Sequence, residues 1–195
     1  MRLIITESQY KKILSEDINS DNKIINALKD AINIGIDKFV SENKTSLDKS
    51  SKILDANSIV NQFKNYLISQ TPSLLQQMKT GKGGDVFAET AYKGLYSIIQ
   101  SNLNNIGWDK RQLIKGLSPG KDDLLNQMKV KNIDEYFQTF KQLLDLSFKI
   151  GTMNEVKPYS DNLDKWSNQL YNWIDPRRKS IKENFINLII NSIYK

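Results

Sequence analysis

The stretch IINALKDAINIGIDKF, residues 24–39, decides the fold class that the sequence predicts. Its large apolar side chains recur every three or four residues, with Lys, Asp and Asn between them. This spacing matches the 3.6-residue turn of an α-helix and gathers the apolar side chains on one face. We therefore predict a helix over residues 21–41 that buries this face in a core. The predicted core side chains are Ile25, Leu28, Ile32, Ile36 and Phe39.

Apolar stripes of the same helical spacing run through most of the remaining chain. No segment of convincing length alternates with the two-residue period of a strand, and no repeat of fixed length is evident. The sequence therefore predicts an all-α fold, an irregular multi-helix domain of about eight to ten helices. Residues 3–5 offer at most one short N-terminal strand.

Two polar runs indicate how the chain is organised. SEDINSDN, residues 15–22, has the composition of a loop, and TGKGGD, residues 80–85, is the clearest break in the sequence. We therefore predict an N-terminal docking or address segment over residues 1–19 that carries a short helix. A single helical domain over residues 20–195 follows, with a subdivision at the 80–85 loop as an alternative.

The composition excludes several kinds of chemistry. The chain has no Cys and no His, which removes disulfides, the usual zinc sites, Cys nucleophiles and His general bases. Carboxylates, Lys, Tyr, Ser and Thr remain. We expect no metal site and no cofactor, and the sequence leaves enzyme activity open while favouring a protein without it.

The charge and hydropathy pattern restricts the partners and the compartment. The net charge of +6 is spread along the chain, whereas many nucleic-acid-binding proteins concentrate it on a face or tail. No apolar run approaches the roughly 18 residues that a membrane span needs. The three apolar residues after Arg2 are too few for a secretory signal. We therefore expect a location in the cytoplasm or within a virion and no membrane partner.

The glycines of TGKGGD precede a predicted helix. Backbone N–H groups at such a place can hold a phosphate, with Lys82 as the neighbouring cation. The Walker pattern and a preceding strand are both absent. The favoured interpretation is a flexible loop between helices with Asp85 as the helix N-cap.

Two carboxylates near this loop are the candidates for catalysis. Glu89 and Asp85 are available for the acid or base role that carboxylates play in a hydrolase cleft. The sequence marks no partner group for either of them. A carboxylate-based hydrolase is therefore the weaker alternative among the functions considered.

The densest basic cluster is DPRRKSIK, residues 175–182, which we call the basic corner. It follows Trp166, Tyr171 and Trp173, and basic side chains near aromatic rings can bind the phosphates and bases of a nucleic acid. The two Trp residues are also spaced as a helix core stripe, and this structural interpretation is favoured. Nucleic-acid binding is kept as the alternative function. The candidate phosphate contacts are Arg177, Arg178, Lys179 and Lys182, together with Lys82 of the glycine loop.

The chain opens with MRLIITESQYKKILSE, residues 1–16. Thr6 and Gln9 have the spacing of a capping box, which predicts a helix that begins near Glu7. Its apolar side is too small to form a core alone, so we predict that it docks on this domain or on a protein partner. The candidate docking side chains are Leu3, Ile5, Tyr10, Ile13 and Leu14.

The opening MRLIITESQYKKIL resembles the openings of uncharacterised proteins of tailed phages and mobile elements. Some tailed phages carry N-terminal capsid-targeting segments, which a head-maturation protease removes after a Leu/Ile-x-Glu step. The resemblance therefore implies cleavage at 5–7 or 14–16, which both match that step. Residues 133–135 and 181–183 match it as well, so composition alone can produce the pattern.

These observations favour one function over two others. The leading hypothesis is a non-enzymatic structural or protein-interaction protein, encoded by a phage or mobile element. Its N-terminal segment docks to a protein partner or directs packaging. Nucleic-acid binding at the basic corner and carboxylate-based hydrolysis are the alternatives, and the sequence makes no prediction of oligomeric state.

Overall fold

A computed structural model describes residues 7–45, 47, 55–109, 154–159 and 162–194. Of these described residues, 89% are helical and none lies in a strand. The predicted all-α class is therefore confirmed over these ranges. The strand considered at residues 3–5 lies outside them, as do residues 110–153.

The described ranges form six α-helices, so the predicted count of eight to ten is not confirmed. Two 3₁₀ turns accompany them, at Lys157–Tyr159 and Asp175–Arg177. The helices are α1 (Glu7–Glu42), α2 (Ala56–Ser69), α3 (Thr71–Thr80), α4 (Gly84–Asn104), α5 (Leu163–Ile174) and α6 (Arg178–Tyr194).

Helix α4 is the centre of the described packing. Helices α2, α3, α5 and α6 all lie against it, and its contact with α5 is the most extensive. Helix α1 packs on α2 and α3. Buried side chains from all six helices belong to one continuous apolar cluster, which is the core.

The predicted apolar stripe of α1 lies in this core. Leu28, Ile32, Ile36 and Phe39 are buried, whereas Ile25 is only partly buried and its neighbour Ile24 lies inward. Burial of each such side chain stabilises the fold by about 1.5–3 kcal/mol relative to exposure. The stripe therefore fixes α1 on α2 and α3.

The loop predicted at residues 15–22 is wrong, because α1 runs through it without a break. The segment contains no Gly or Pro, and Ser, Asp and Asn each cost a helix interior at most about 0.7 kcal/mol relative to Ala. Asp21 also forms a salt bridge with Lys79 of α3. The predicted short helix is therefore the first part of a helix of 36 residues.

Candidate functional site

The loop TGKGGD forms a tight corner between α3 and α4, and we call residues 80–85 the glycine corner. Gly81 ends α3 in the left-handed conformation, with φ of 62°, and its N–H donates to the Met78 carbonyl at 3.2 Å. Gly83 has φ of 80° and is the N-cap residue of α4. Two residues in the left-handed conformation, which favours glycine, therefore lie within three positions.

Helix α5 and its N-cap residue Asn162 hold both ends of the glycine corner. The Asn162 Nδ2 donates to the Lys79 carbonyl at 2.7 Å, near the end of α3. The Gly84 N–H donates to the Gln169 Oε1 at 2.8 Å, at the beginning of α4. Each bond satisfies a backbone group that a helix end leaves without an intrahelical partner.

The close approach of α5 explains why glycine occupies two of these positions. A Cβ atom at Gly84 would lie 2.4 Å from the Trp166 carbonyl oxygen, and one at Gly81 would lie 2.6 Å from the Asn162 Cβ. Both distances are shorter than van der Waals contact. Packing against α5 therefore requires the glycines, and this requirement does not depend on any ligand.

The candidate residues of the glycine corner have ordinary surroundings. Lys82 is exposed between the two left-handed glycines. The prediction that Asp85 is the N-cap is wrong, because Gly83 occupies that position and Asp85 lies exposed in the first turn of α4. The Gly84 N–H, one of the backbone donors at the beginning of α4, already donates to Gln169.

Glu89 lies on α4 one turn after Asp85 and forms a salt bridge with Lys93. The hydrogen bond from Lys93, followed by the charges of Lys93 and Arg177, holds the pKa of Glu89 below its ordinary value. A carboxyl group that acts as a general acid needs a raised pKa. The surroundings of Glu89 therefore resemble those of a structural ion pair.

The basic corner is held by contacts within the chain. The Arg177 Nη1 donates to the Trp173 carbonyl at 2.9 Å, and the guanidinium lies 4.9 Å from the centre of the Trp173 ring. Lys179 is exposed and lies 4.0 Å from Glu183. Arg178 and Lys182 belong to α6, and only their backbone is among the described features.

A cluster of aromatic rings lies beside the basic corner, where α4 meets α5 and α6. Tyr92 contacts Tyr96, Trp173 and Phe185, with ring centres 6.2, 6.0 and 5.8 Å away. Burial raises the pKa of Tyr92, although the hydrogen bond from Asn184 opposes this shift. Because Trp173 already packs against Arg177 and Tyr92, it is not a free platform for stacking a base.

Of the predicted docking residues, the structure describes three, and those only by their backbone. Leu3 and Ile5 lie outside the described residues, and Tyr10, Ile13 and Leu14 are described only as backbone of α1. Ile18 is 59% exposed on the same helix. The candidate docking residues do not include Ile18, because the composition of residues 15–22 predicts a loop. Its position four residues after Leu14 is nevertheless a helical signal.

The described ranges contain neither a metal-binding cluster of acidic side chains nor a helix suited to cross a membrane. No group of three or more acidic side chains there is arranged to hold a metal ion. None of the helices in this part of the chain has both the length and the apolar character needed to cross a membrane. Comparison with protein-family models, with curated proteins and with solved structures found no match for this chain.

Proposed function

We propose that this chain is a non-enzymatic protein-interaction protein, encoded by a phage or mobile element, that docks on a protein partner through the first third of α1. We call residues 7–18 the docking segment. The observation that carries the proposal is the exposure of Ile18, which is in helical register with the buried stripe of the same helix.

The apolar positions of the docking segment repeat the core positions of α1 five turns earlier. Five turns of an α-helix take 18 residues, which is the interval between Ile18 and Ile36. Ile36 is 1% exposed, whereas Ile18 is 59% exposed. The apolar register of the helix therefore continues on the N-terminal side of the buried residues described in α1. The same interval links Tyr10 to Leu28, Ile13 to Ala31 and Leu14 to Ile32.

An apolar stripe of this kind has the pattern that partner helices recognise. Anchors at i, i+3, i+4 and i+7 are typical of an amphipathic helix that lies in the groove of another protein. Covering such a face gains about 25 cal/mol per Å² of apolar surface. A single exposed Ile is common on protein surfaces, but Ile18 extends a stripe whose other members the sequence already marks as docking candidates.

The continuity of α1 favours docking over release of a cleaved segment. Residue 16, after which the packaging form of the hypothesis places cleavage, lies inside α1. A protease needs extended chain, so cleavage there requires local unwinding of the helix. The intact mass of the protein from its native source tests this point: a mature N-terminus at Met1 or Arg2 contradicts packaging by cleavage, and one at Asp17 contradicts docking by the intact helix.

The test of docking compares Ile18→Asp with Ile34→Asp. Ile34 is 53% exposed on the same helix, and its position 16 residues later faces the opposite side. Wild type and both variants are used to capture proteins from the native source, and any protein captured differentially is purified and titrated against all three. We expect Ile18→Asp to weaken binding by about tenfold or more, which is about 1.4 kcal/mol, and Ile34→Asp to leave binding unchanged.

Folding controls make this comparison decisive. The unfolding midpoints of the two variants are measured first, because both replace an exposed side chain and should match wild type closely. Equal binding by wild type and both folded variants would rule out the docking segment as the contact.

A further inference from the structure

We propose that residues 162–174 act as a strap that holds the glycine corner closed, so that strap and corner open and close together as one unit. This inference is independent of the docking segment on α1. It rests on contacts at three points along the strap, which lie at its beginning, its middle and its second half.

The strap reaches the glycine corner with one face. Asn162, Trp166 and Gln169 are spaced at i, i+4 and i+7, which places them on the same side of a helix. Asn162 holds the Lys79 carbonyl and Gln169 holds the Gly84 N–H, at 2.7 and 2.8 Å. Lifting this one face therefore breaks the bonds at both ends of the corner.

Trp166 lies between these two polar contacts and supplies the apolar part of the closure. Its side chain is fully buried, and its ring centre lies 6.0 Å from that of Phe87 in the first turn of α4. Its backbone carbonyl approaches Gly84 so closely that no Cβ fits between them. The strap is thus seated by backbone contact as well as by side chains.

Opening the strap would remove the long-range contacts of the corner and leave its local hydrogen bonds. The Gly84 N–H and the Lys79 carbonyl would lose their described partners. Gly81 and Gly83 would then move freely, because glycine has the greatest backbone freedom of any residue. The exposed Lys82 between them could then adopt the extended conformation that a protease needs. Trypsin cleavage after Lys82 therefore reports the open state.

The main experiment compares Gly84→Ala with Gly107→Ala in the full chain. The added Cβ meets the Trp166 carbonyl at Gly84, whereas no atom lies within 4 Å of its position at Gly107. We expect Gly84→Ala to raise the rate of trypsin cleavage after Lys82 by about fivefold or more, as expected for an overpacked contact. Gly107→Ala should cleave there at the wild-type rate.

A second, milder pair keeps the proposal testable if Gly84→Ala does not fold. Gln169→Ala removes one side-chain hydrogen bond across the corner, and Gln62→Ala removes the amide contact of Gln62 with Asn102, which joins α2 to α4 at 3.2 Å. Loss of one hydrogen bond raises the open population by about fivefold. We expect Gln169→Ala to speed cleavage after Lys82 and Gln62→Ala to leave it unchanged.

Hydrogen exchange of the same variants decides whether the opening is local. In Gln169→Ala, the amides of residues 81–87 and of the strap should exchange faster together, while the amides of α1 and α2 keep their wild-type rates. Faster exchange throughout the molecule, or cleavage after Lys82 that is as slow in Gln169→Ala as in Gln62→Ala, would overturn the proposal.

Discussion

The glycine corner and the basic corner each join two helices, yet they are stabilised in different ways. The glycine corner is held by Asn162 and Gln169, more than 80 residues further along the chain. The basic corner is held by a contact between Arg177 and Trp173, four residues apart, on the exposed surface. The glycine corner therefore depends on contacts between distant segments, whereas the Arg177 contact of the basic corner is local.

This difference explains the composition of the two corners. At the glycine corner, residues 162–169 approach the backbone at Gly81 and Gly84 so closely that a side chain does not fit at these two positions. At the basic corner Arg177 and Lys179 are exposed, and the Arg177 guanidinium lies over the Trp173 ring. A dense basic cluster and a glycine-rich loop thus both have structural explanations, and each explanation can be tested.

The largest expected effect on stability is at Trp166, beside the glycine corner, and it should exceed the effect at Trp173, beside the basic corner. Trp166→Ala should lower the free energy of unfolding by about 3–5 kcal/mol, because it opens a cavity in a fully buried site. Trp173 is only partly buried, so Trp173→Ala should cost about half as much. Urea unfolding of both variants, monitored by circular dichroism, measures the two free energies.

Trp166→Phe supplies the control for this prediction. The Trp166 Nε1 is buried without a hydrogen-bond partner among the described residues, and Phe removes this N–H while keeping an aromatic ring. A buried donor without a partner costs free energy, so Trp166→Phe should cost much less than Trp166→Ala. Equal losses for Trp166→Ala and Trp173→Ala would contradict the distinction between the two corners.

Much of the fold could be predicted from the sequence, because its helices are amphipathic. The stripe from Leu28 to Phe39 and the break at residues 80–85 follow from local periodicity and turn composition, and the structure contains both. The loop predicted at residues 15–22 failed because Ser, Asp and Asn only weakly oppose a helix. A salt bridge between Asp21 and Lys79, which the sequence does not reveal, joins this part of α1 to α3.

The candidate site could be predicted much less well, because its decisive contacts are long-range. Nothing in TGKGGD indicates that Gln169 caps the beginning of α4 or that Trp166 approaches Gly84. The local sequence favours Asp85 as the N-cap, since Asp is a common capping residue. In the structure, the Gln169 side-chain oxygen accepts a hydrogen bond from the Gly84 N–H at the beginning of α4.

A smaller effect is expected at the basic corner. Arg177→Ala removes the hydrogen bond to the Trp173 carbonyl and the cation–π contact, so it should cost about 1 kcal/mol of unfolding free energy. Arg177→Lys should recover little of this loss, because Lys lacks the planar group that makes both contacts. Lys179→Ala is the matched control, since an exposed, distant ion pair contributes almost nothing.

The same three variants test the nucleic-acid alternative without confusing it with stability. Titration with a fluorescent single-stranded oligonucleotide at low salt measures binding, whereas urea unfolding measures stability. If Arg177 serves only to contact Trp173, Arg177→Ala and Arg177→Lys should lower stability and leave oligonucleotide binding unchanged. Weaker oligonucleotide binding in Arg177→Ala and Lys179→Ala, with unchanged unfolding midpoints, would instead assign the basic corner to phosphate recognition.

The smallest effect is expected at Glu89, where the sign of the pH dependence is informative. Lys93 lowers the pKa of Glu89 in the folded chain, so the folded state favours the charged carboxylate. The stabilisation is present above the ordinary pKa of Glu and is lost as the pH falls through the lowered folded value. Thermal unfolding should therefore show a midpoint for Glu89→Gln slightly below that of wild type at pH 7 and equal to it at low pH. The difference at pH 7 should shrink in high salt.

Glu42→Gln is the reference for an ordinary surface pair, because the Glu42 carboxylate lies 3.8 Å from Lys38 in wild type. A Glu89→Gln variant more stable than wild type at pH 7 would contradict a stabilising ion pair between Glu89 and Lys93.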